Sequence, residues 1–127
     1  MTKLIEKDLV YKIVGCAIAV HNEIGHGFRE KTYENALCVE FKHEGLEYAQ
    51  QSVFPVMYRS EKVDRYIPDL IVENKIIVDT KTVESIIDEH RGTILNYLRV
   101  TYLHVGLIIN YKHPKLEWER LVLDTAR

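Results

Sequence analysis

The sequence predicts an α/β fold: one domain with a central mixed β-sheet flanked by helices. Three observations carry this. Two amphipathic helical stretches open the chain, three strand-like runs follow, and a third helix then precedes two more strand-like runs. At 127 residues the chain is read as a single domain, 1–127, long enough for a proper core, with 46% hydrophobic residues.

The first helix is expected from about Glu6 to Ile24, because Leu9, Val10, Ile13, Val14, Ala17, Val20 and Ile24 recur at three- and four-residue steps. Gly25-His26-Gly27 ends it. The second runs from about Glu30 to Glu44, with Gly45 as its stop signal and Tyr33, Leu37, Cys38 and Phe41 as its apolar stripe. Glu34 falls in that stripe by position, and Glu30 lies one turn earlier on the same side. An acid on an inward face needs a partner or a route to water.

Strand-like runs are expected over about Ala49 to Arg59, Val63 to Val72 and Ile76 to Val83. Pro55 and Pro68 mark points without a paired amide, at an edge or bulge. A third helix is expected from about Asp88 to Thr101, with Ile94, Leu95, Leu98 and Tyr102 in register and Ser85 or Asp88 as its cap. His104 to Asn110 suits a buried strand, and Trp118 to Leu123 a final one.

The runs Tyr66–Val72 and Ile76–Thr82 are separated by the polar break Glu73-Asn74-Lys75. If all three form the loop of a hairpin, Val72 meets Ile76, Ile71 meets Ile77, and Asp69 faces Asp79, with Lys81 on the same side. A two-residue loop, Asn74-Lys75, would instead put the aspartates on opposite faces. The three-residue break favours the first register. Carboxylates facing each other with Cβ atoms roughly 5 Å apart repel, and a divalent cation between them removes that repulsion. The spacing alone leaves two readings: a cation site, or two solvent-facing aspartates on an ordinary strand.

The formal net charge is −2 and there is no basic tail, so any nucleic-acid contact must be local or metal-assisted. Cys16 and Cys38 form no Cys-x-x-Cys pair, which points to reduced thiols and a cytoplasmic location. Leu9 to Val20 is too short to span a bilayer, and Glu6, Lys7 and Asp8 argue against a secretory signal. His21, His26 and Glu30 lack the one-face spacing of a zinc helix. Gly25-x-Gly27 follows no strand and precedes no Lys-Ser/Thr, so it is not a P-loop. No serine or cysteine lies in a nucleophile motif.

Gly27-Phe-Arg-Glu30-Lys-Thr-Tyr33-Glu34, Tyr66-Ile-Pro-Asp69, Asp79-Thr80-Lys81, Leu95-Asn96-Tyr97-Leu98 and Val105-Gly-Leu-Ile-Ile-Asn110 occur in that order. Together they resemble the GxxExxY proteins, assigned to the PD-(D/E)XK nuclease-like superfamily. The resemblance spans about Leu9 to Leu123. It implies a restriction-endonuclease-like αβββαβ core and metal-dependent hydrolysis of DNA or RNA phosphodiester bonds. A non-catalytic nucleic-acid- or protein-binding module with a degenerate site is the alternative.

By that resemblance Asp69, Asp79 and Glu34 are metal ligands, joined by the Thr80 carbonyl, and Lys81 completes the catalytic set. Mg²⁺ or Mn²⁺ is the implied cofactor, nucleic acid the partner and a homodimer the implied assembly, although the chain carries no dimer signature and no membrane segment is expected. Family members often carry a glutamine where this chain has Thr93. His90 matches a histidine that often precedes it, which makes His90, Thr93 and Tyr97 candidate accessory residues. From the sequence itself, Arg59, Lys62, Arg65, Lys112 and Lys115 are the candidate phosphate contacts; the competing reading is a solvated charged turn.

Overall fold

The chain is described from a computed structural model over residues 5–124. Its first two helices, α1 (Lys7–Ile24) and α2 (Glu30–His43), pack side by side. The strands β1 (Tyr48–Gln50), β2 (Phe54–Tyr58), β3 (Glu61–Tyr66), β4 (Leu70–Val72) and β5 (Ile76–Lys81) come next. Helix α3 (Asp88–Thr101) leads to β6 (Val105–Asn110) and β7 (Glu117–Val122).

Five strands form one mixed sheet in the order β1-β4-β5-β6-β7. Only β5 and β6 pair in parallel within it. Parallel neighbours need a long crossover, and α3 supplies it.

Alternate residues along the strands feed two cores. Leu70, Val72, Ile76, Val78, Leu107 and Ile109 pack under α1 and α2, against Ile13, Ala17, Leu37 and Phe41. On the other face Ile71, Ile77 and Ile108 pack with Ile94 and Leu98 of α3. Gly106 lies on this second face. A Cβ there would stand 2.5 Å from Ile94 Cγ2, so the missing side chain is what lets α3 approach β6.

Two of the expected strands are corrected. The run expected over Ala49 to Arg59 breaks after Gln50, because Gln51 is left-handed (φ 57), a conformation that ends a pleated strand. The run expected over Val63 to Val72 breaks at Ile67-Pro68-Asp69, where proline has no N–H to pair. Their halves serve different sheets. β1 and β4 join the main sheet, while β2 and β3 form a separate two-stranded ribbon with a bulge at Val56/Met57.

The cap expected for α3 is also corrected. The helix begins at Asp88, neither Ser85 nor Asp88 caps it, and His90 Nδ1 instead accepts from the Ile87 N–H at 3.1 Å. None of the described helices is long and apolar enough to cross a membrane.

Candidate active site

The hairpin between β4 and β5 has the register set by a three-residue loop. Leu70 pairs with Val78, Ile71 with Ile77 and Val72 with Ile76. Glu73 and Asn74 take left-handed backbones (φ 54 and 55) to close the turn. Asp69 therefore stands opposite Asp79, one step beyond the Leu70–Val78 pair. Asp69 Oδ2 accepts from the Thr80 backbone N–H at 3.1 Å, which bends its carboxylate across the strand end.

Asp79 is only 4% exposed. Lys81 Nζ lies 3.0 Å from Asp79 Oδ2. Apart from this ion pair, Oδ2 is buried without a hydrogen-bond partner among the described residues. Burial first, and the neighbouring Asp69 second, push the Asp79 carboxyl up to about 7, outweighing the attraction of Lys81. For Lys81, burial works against the charge. Asp79, Glu30 and Asp69 together outweigh it, Asp79 most, and the ammonium is held above its ordinary value.

Helix α2 brings two acids to this end of the sheet. Glu30, its first residue, accepts from the Thr82 N–H at 3.1 Å, fastening the helix start to the segment that follows Lys81. Glu34 is 3% exposed. Its inward position is satisfied by Lys31 Nζ on Oε1 at 3.1 Å, and by Gln50 Nε2 and Gln51 Nε2 on Oε2 at 2.8 and 2.9 Å. Tyr33, fully buried, donates to the Gly25 carbonyl at 2.8 Å and accepts from the Phe28 N–H at 3.1 Å. Its ring stacks on Tyr111 at 4.1 Å between centroids. The glycine-to-tyrosine motif is thus a latch for the α1–α2 turn, with Gly27 supplying a positive φ of 103.

A family model described as "PD-(D/E)XK nuclease superfamily" matches residues 7–121. The chain belongs to this superfamily. A solved structure titled "Crystal structure of SSO0001" is similar, with a TM-score of 0.50 and 11% identity over 94% of this chain and 78% of that one. That likeness concerns the fold alone. Among curated proteins none matches.

In this PD-(D/E)XK domain the donor set suits a hard divalent cation: two carboxylates at one strand end and a buried carboxylate oxygen lacking a hydrogen bond. Glu34 is held by partners of its own. Among the described residues no three His, Cys, Asp or Glu side chains converge as a metal cluster, and both Glu34 oxygens are already engaged.

The accessory residues separate. Tyr97 lies beside the aspartates: burial first, then Asp79 and Asp69, raise its hydroxyl above the ordinary range. Thr93 Oγ1 donates to the Glu89 carbonyl at 3.1 Å within its own helix, and His90 serves the helix start. A pocket of about 310 Å³ opens between the ribbon and α3, lined by Arg65, Tyr66, Ile67, Thr93, Asn96 and Tyr97. Arg59 and Lys62 are exposed farther out on the ribbon, where Arg59 lies 5.6 Å over the Tyr58 ring. Lys112 and Lys115 are exposed in the β6–β7 turn, with Lys112 Nζ 3.8 Å from Glu84.

Sequence reasoning assigned no role to Gln50, Gln51 or Asn110. Asn110, fully buried, accepts from the Val83 N–H at 3.0 Å and donates to the Val83 carbonyl at 2.8 Å, pinning the chain just past Lys81. Its polar side chain at the end of an apolar run was the available signal.

Proposed function

We propose that this nuclease-superfamily domain hydrolyses phosphodiester bonds of DNA or RNA with the help of Mg²⁺ or Mn²⁺. The observation that carries the reading is the buried Asp79 oxygen, lacking a hydrogen bond, beside Asp69 and Lys81. Asp69, Asp79 and the Thr80 carbonyl would hold the cation, with Glu34 as a further ligand. When bound, such a cation neutralises charge on the phosphate and makes water a stronger acid.

The remaining work falls to side chains. Lys81 keeps its proton and places a positive charge where the phosphoryl oxygens gain negative charge. Tyr97, on α3 beside the two aspartates, orients the substrate or the attacking water. Arg59, Lys62, Arg65, Lys112 and Lys115 supply phosphate contacts that position the strand without reading its bases. Because the net charge is −2, this binding is local and weakens steeply with salt.

A second reading, a binding module without turnover, is favoured by one observation. The Thr93 hydroxyl is spent on the Glu89 carbonyl and supplies no donor to the site.

The test is a cleavage assay on single-stranded DNA, duplex DNA and RNA with Mg²⁺ or Mn²⁺, with Asp79→Ala and Lys81→Ala as controls, beside a calorimetric Mn²⁺ titration. Cleavage and Mn²⁺ binding that are both lost in Asp79→Ala support the enzyme. Binding without cleavage of any substrate supports the second reading. Equal Mn²⁺ titrations for wild type and Asp79→Ala would overturn the cation site.

A further inference from the structure

Gln51 stands directly across the sheet from Asp69. Its backbone N–H donates to the Asp69 carbonyl at 3.0 Å, one step past the last β1–β4 pair, Gln50 with Leu70. Its side-chain Nε2 lies 2.9 Å from Glu34 Oε2 and 3.5 Å from Asp69 Oδ1. One amide nitrogen thus spans the gap between a carboxylate of α2 and a carboxylate of the β4–β5 hairpin. Gln50 does not do this: its Nε2 reaches Glu34 and Asn35. Both partners of Gln51 are acids, which accept when ionised, so the NH₂ end of the amide must be the end that faces them.

A primary amide has a donor at one end and a carbonyl acceptor at the other. A half-turn about its last bond exchanges them without moving the backbone. The left-handed conformation of Gln51 is costly for a residue other than glycine, and its backbone bond to Asp69 holds it there. The side chain is therefore fixed at its root and free only at its tip, between the carboxylates of Glu34 and Asp69.

We infer that Gln51 is a positioning residue for the divalent cation. Without the cation, its NH₂ group bridges Glu34 and Asp69 and keeps the two carboxylates aimed at one gap. With a cation bound the amide would turn its carbonyl oxygen toward the site, adding a neutral oxygen to the donor set and leaving Gln50 Nε2 as the amide donor to Glu34 Oε2. This account rests on the reading of Asp69 and Asp79 as a cation site. It assigns to position 51 a requirement for a side-chain oxygen at glutamine length.

Gln51→Met keeps the length and removes the oxygen; Gln51→Glu keeps both and adds charge. The full-length chain is titrated with Mn²⁺ by calorimetry, and its melting temperature is read with and without Mn²⁺. Gln51→Met should bind Mn²⁺ about tenfold more weakly, or worse, as loss of an orienting partner does at metal sites. Gln51→Glu should bind it more tightly than wild type. It should also melt lower without metal, where a further carboxylate joins Glu34 and Asp69, and regain that loss with Mn²⁺.

A purely structural glutamine would shift melting equally with and without Mn²⁺ and leave the affinity order flat. That result in both variants, with wild type binding normally, overturns the role of Gln51 and leaves the cation site standing. A wild type that binds no Mn²⁺ overturns the cation site itself, and this role with it.

Discussion

Asp79 and Lys81 lie 3.0 Å apart on one side of β5, yet the lysine does not keep its neighbour ionised down to the usual carboxylate range. Burial and Asp69 act together against the Asp79 charge, and one ammonium does not offset both. The metal-free site is therefore poised near neutrality: a proton on Asp79 is the ordinary tenant of the place a cation would take.

That balance predicts a pH effect of definite sign. In the unfolded chain Asp79 ionises near 3.8, whereas in the fold it holds its proton up to about 7. Between those values the folded state binds more protons, so this residue's contribution falls as pH rises and is constant above that window. Metal-free urea unfolding across pH 5 to 8 should show wild type losing stability relative to Asp79→Asn. Parallel pH profiles for the two proteins would refute it.

The same proton competes with metal. Mn²⁺ affinity should weaken on acidification below the Asp79 value of about 7, by up to about tenfold per pH unit for one displaced proton. Calorimetry at pH 6 and pH 8 measures this, and heats in buffers of different ionisation enthalpy count the proton released. Unchanged affinity with no proton release would contradict the assignment.

Gly106→Ala should destabilise the protein by about 1–3 kcal/mol, the usual cost of forcing carbon into a filled core. The nearest obstacle is Ile94 Cγ2. In an Ile94→Ala background the same glycine change should cost little, and a denaturation double-mutant cycle reads the difference. Additive costs would mean that backbone conformation, not crowding, fixes the glycine.

Tyr33→Phe removes one donor and one acceptor while sparing the stack on Tyr111. The expected loss is about 1–3 kcal/mol, because its partners at Gly25 and Phe28 lose their bond. Urea midpoints measure it. A neutral substitution would show that water replaces the hydroxyl at the turn.

Arg65 lines the pocket between the ribbon and α3. If it contacts a phosphate, Arg65→Ala should weaken binding to all nucleic-acid sequences alike and reduce the salt dependence by about one ion. Fluorescence anisotropy over a salt series reads both. A changed sequence preference with the salt slope intact would assign it to a base instead.

Much of the site was legible because strand period and loop length are counting problems. The three-residue polar break fixed which residues of β4 and β5 face each other, and the pairing of Ile71 with Ile77 follows from it. Glu34 was legible as an acid in an apolar stripe, and its burial agrees. Its partners were not, since Gln50 and Gln51 lie on another element and no local pattern marks them. The break at Gln51 was hidden for a related reason. Glutamine is no turn signal, and its left-handed backbone is held by a tertiary bond to Asp69. Strand period placed Lys81 beside Asp79, and the resemblance to a known family implied its catalytic part; the structure shows their contact.

The turn at Glu73-Asn74-Lys75 touches none of the site's acids, and its composition carries no chemistry of its own. Its length does. Turning on two of these residues instead of three would pair Glu73 with Ile76 and bring Asp69 opposite Thr80, in the layer occupied by α1 and α2 and away from Asp79. The turn therefore behaves as a parity bit for the domain. A substitution there that keeps the left-handed backbones leaves the register unchanged, whereas one that lets the chain turn on two residues puts the two aspartates on opposite faces of the sheet.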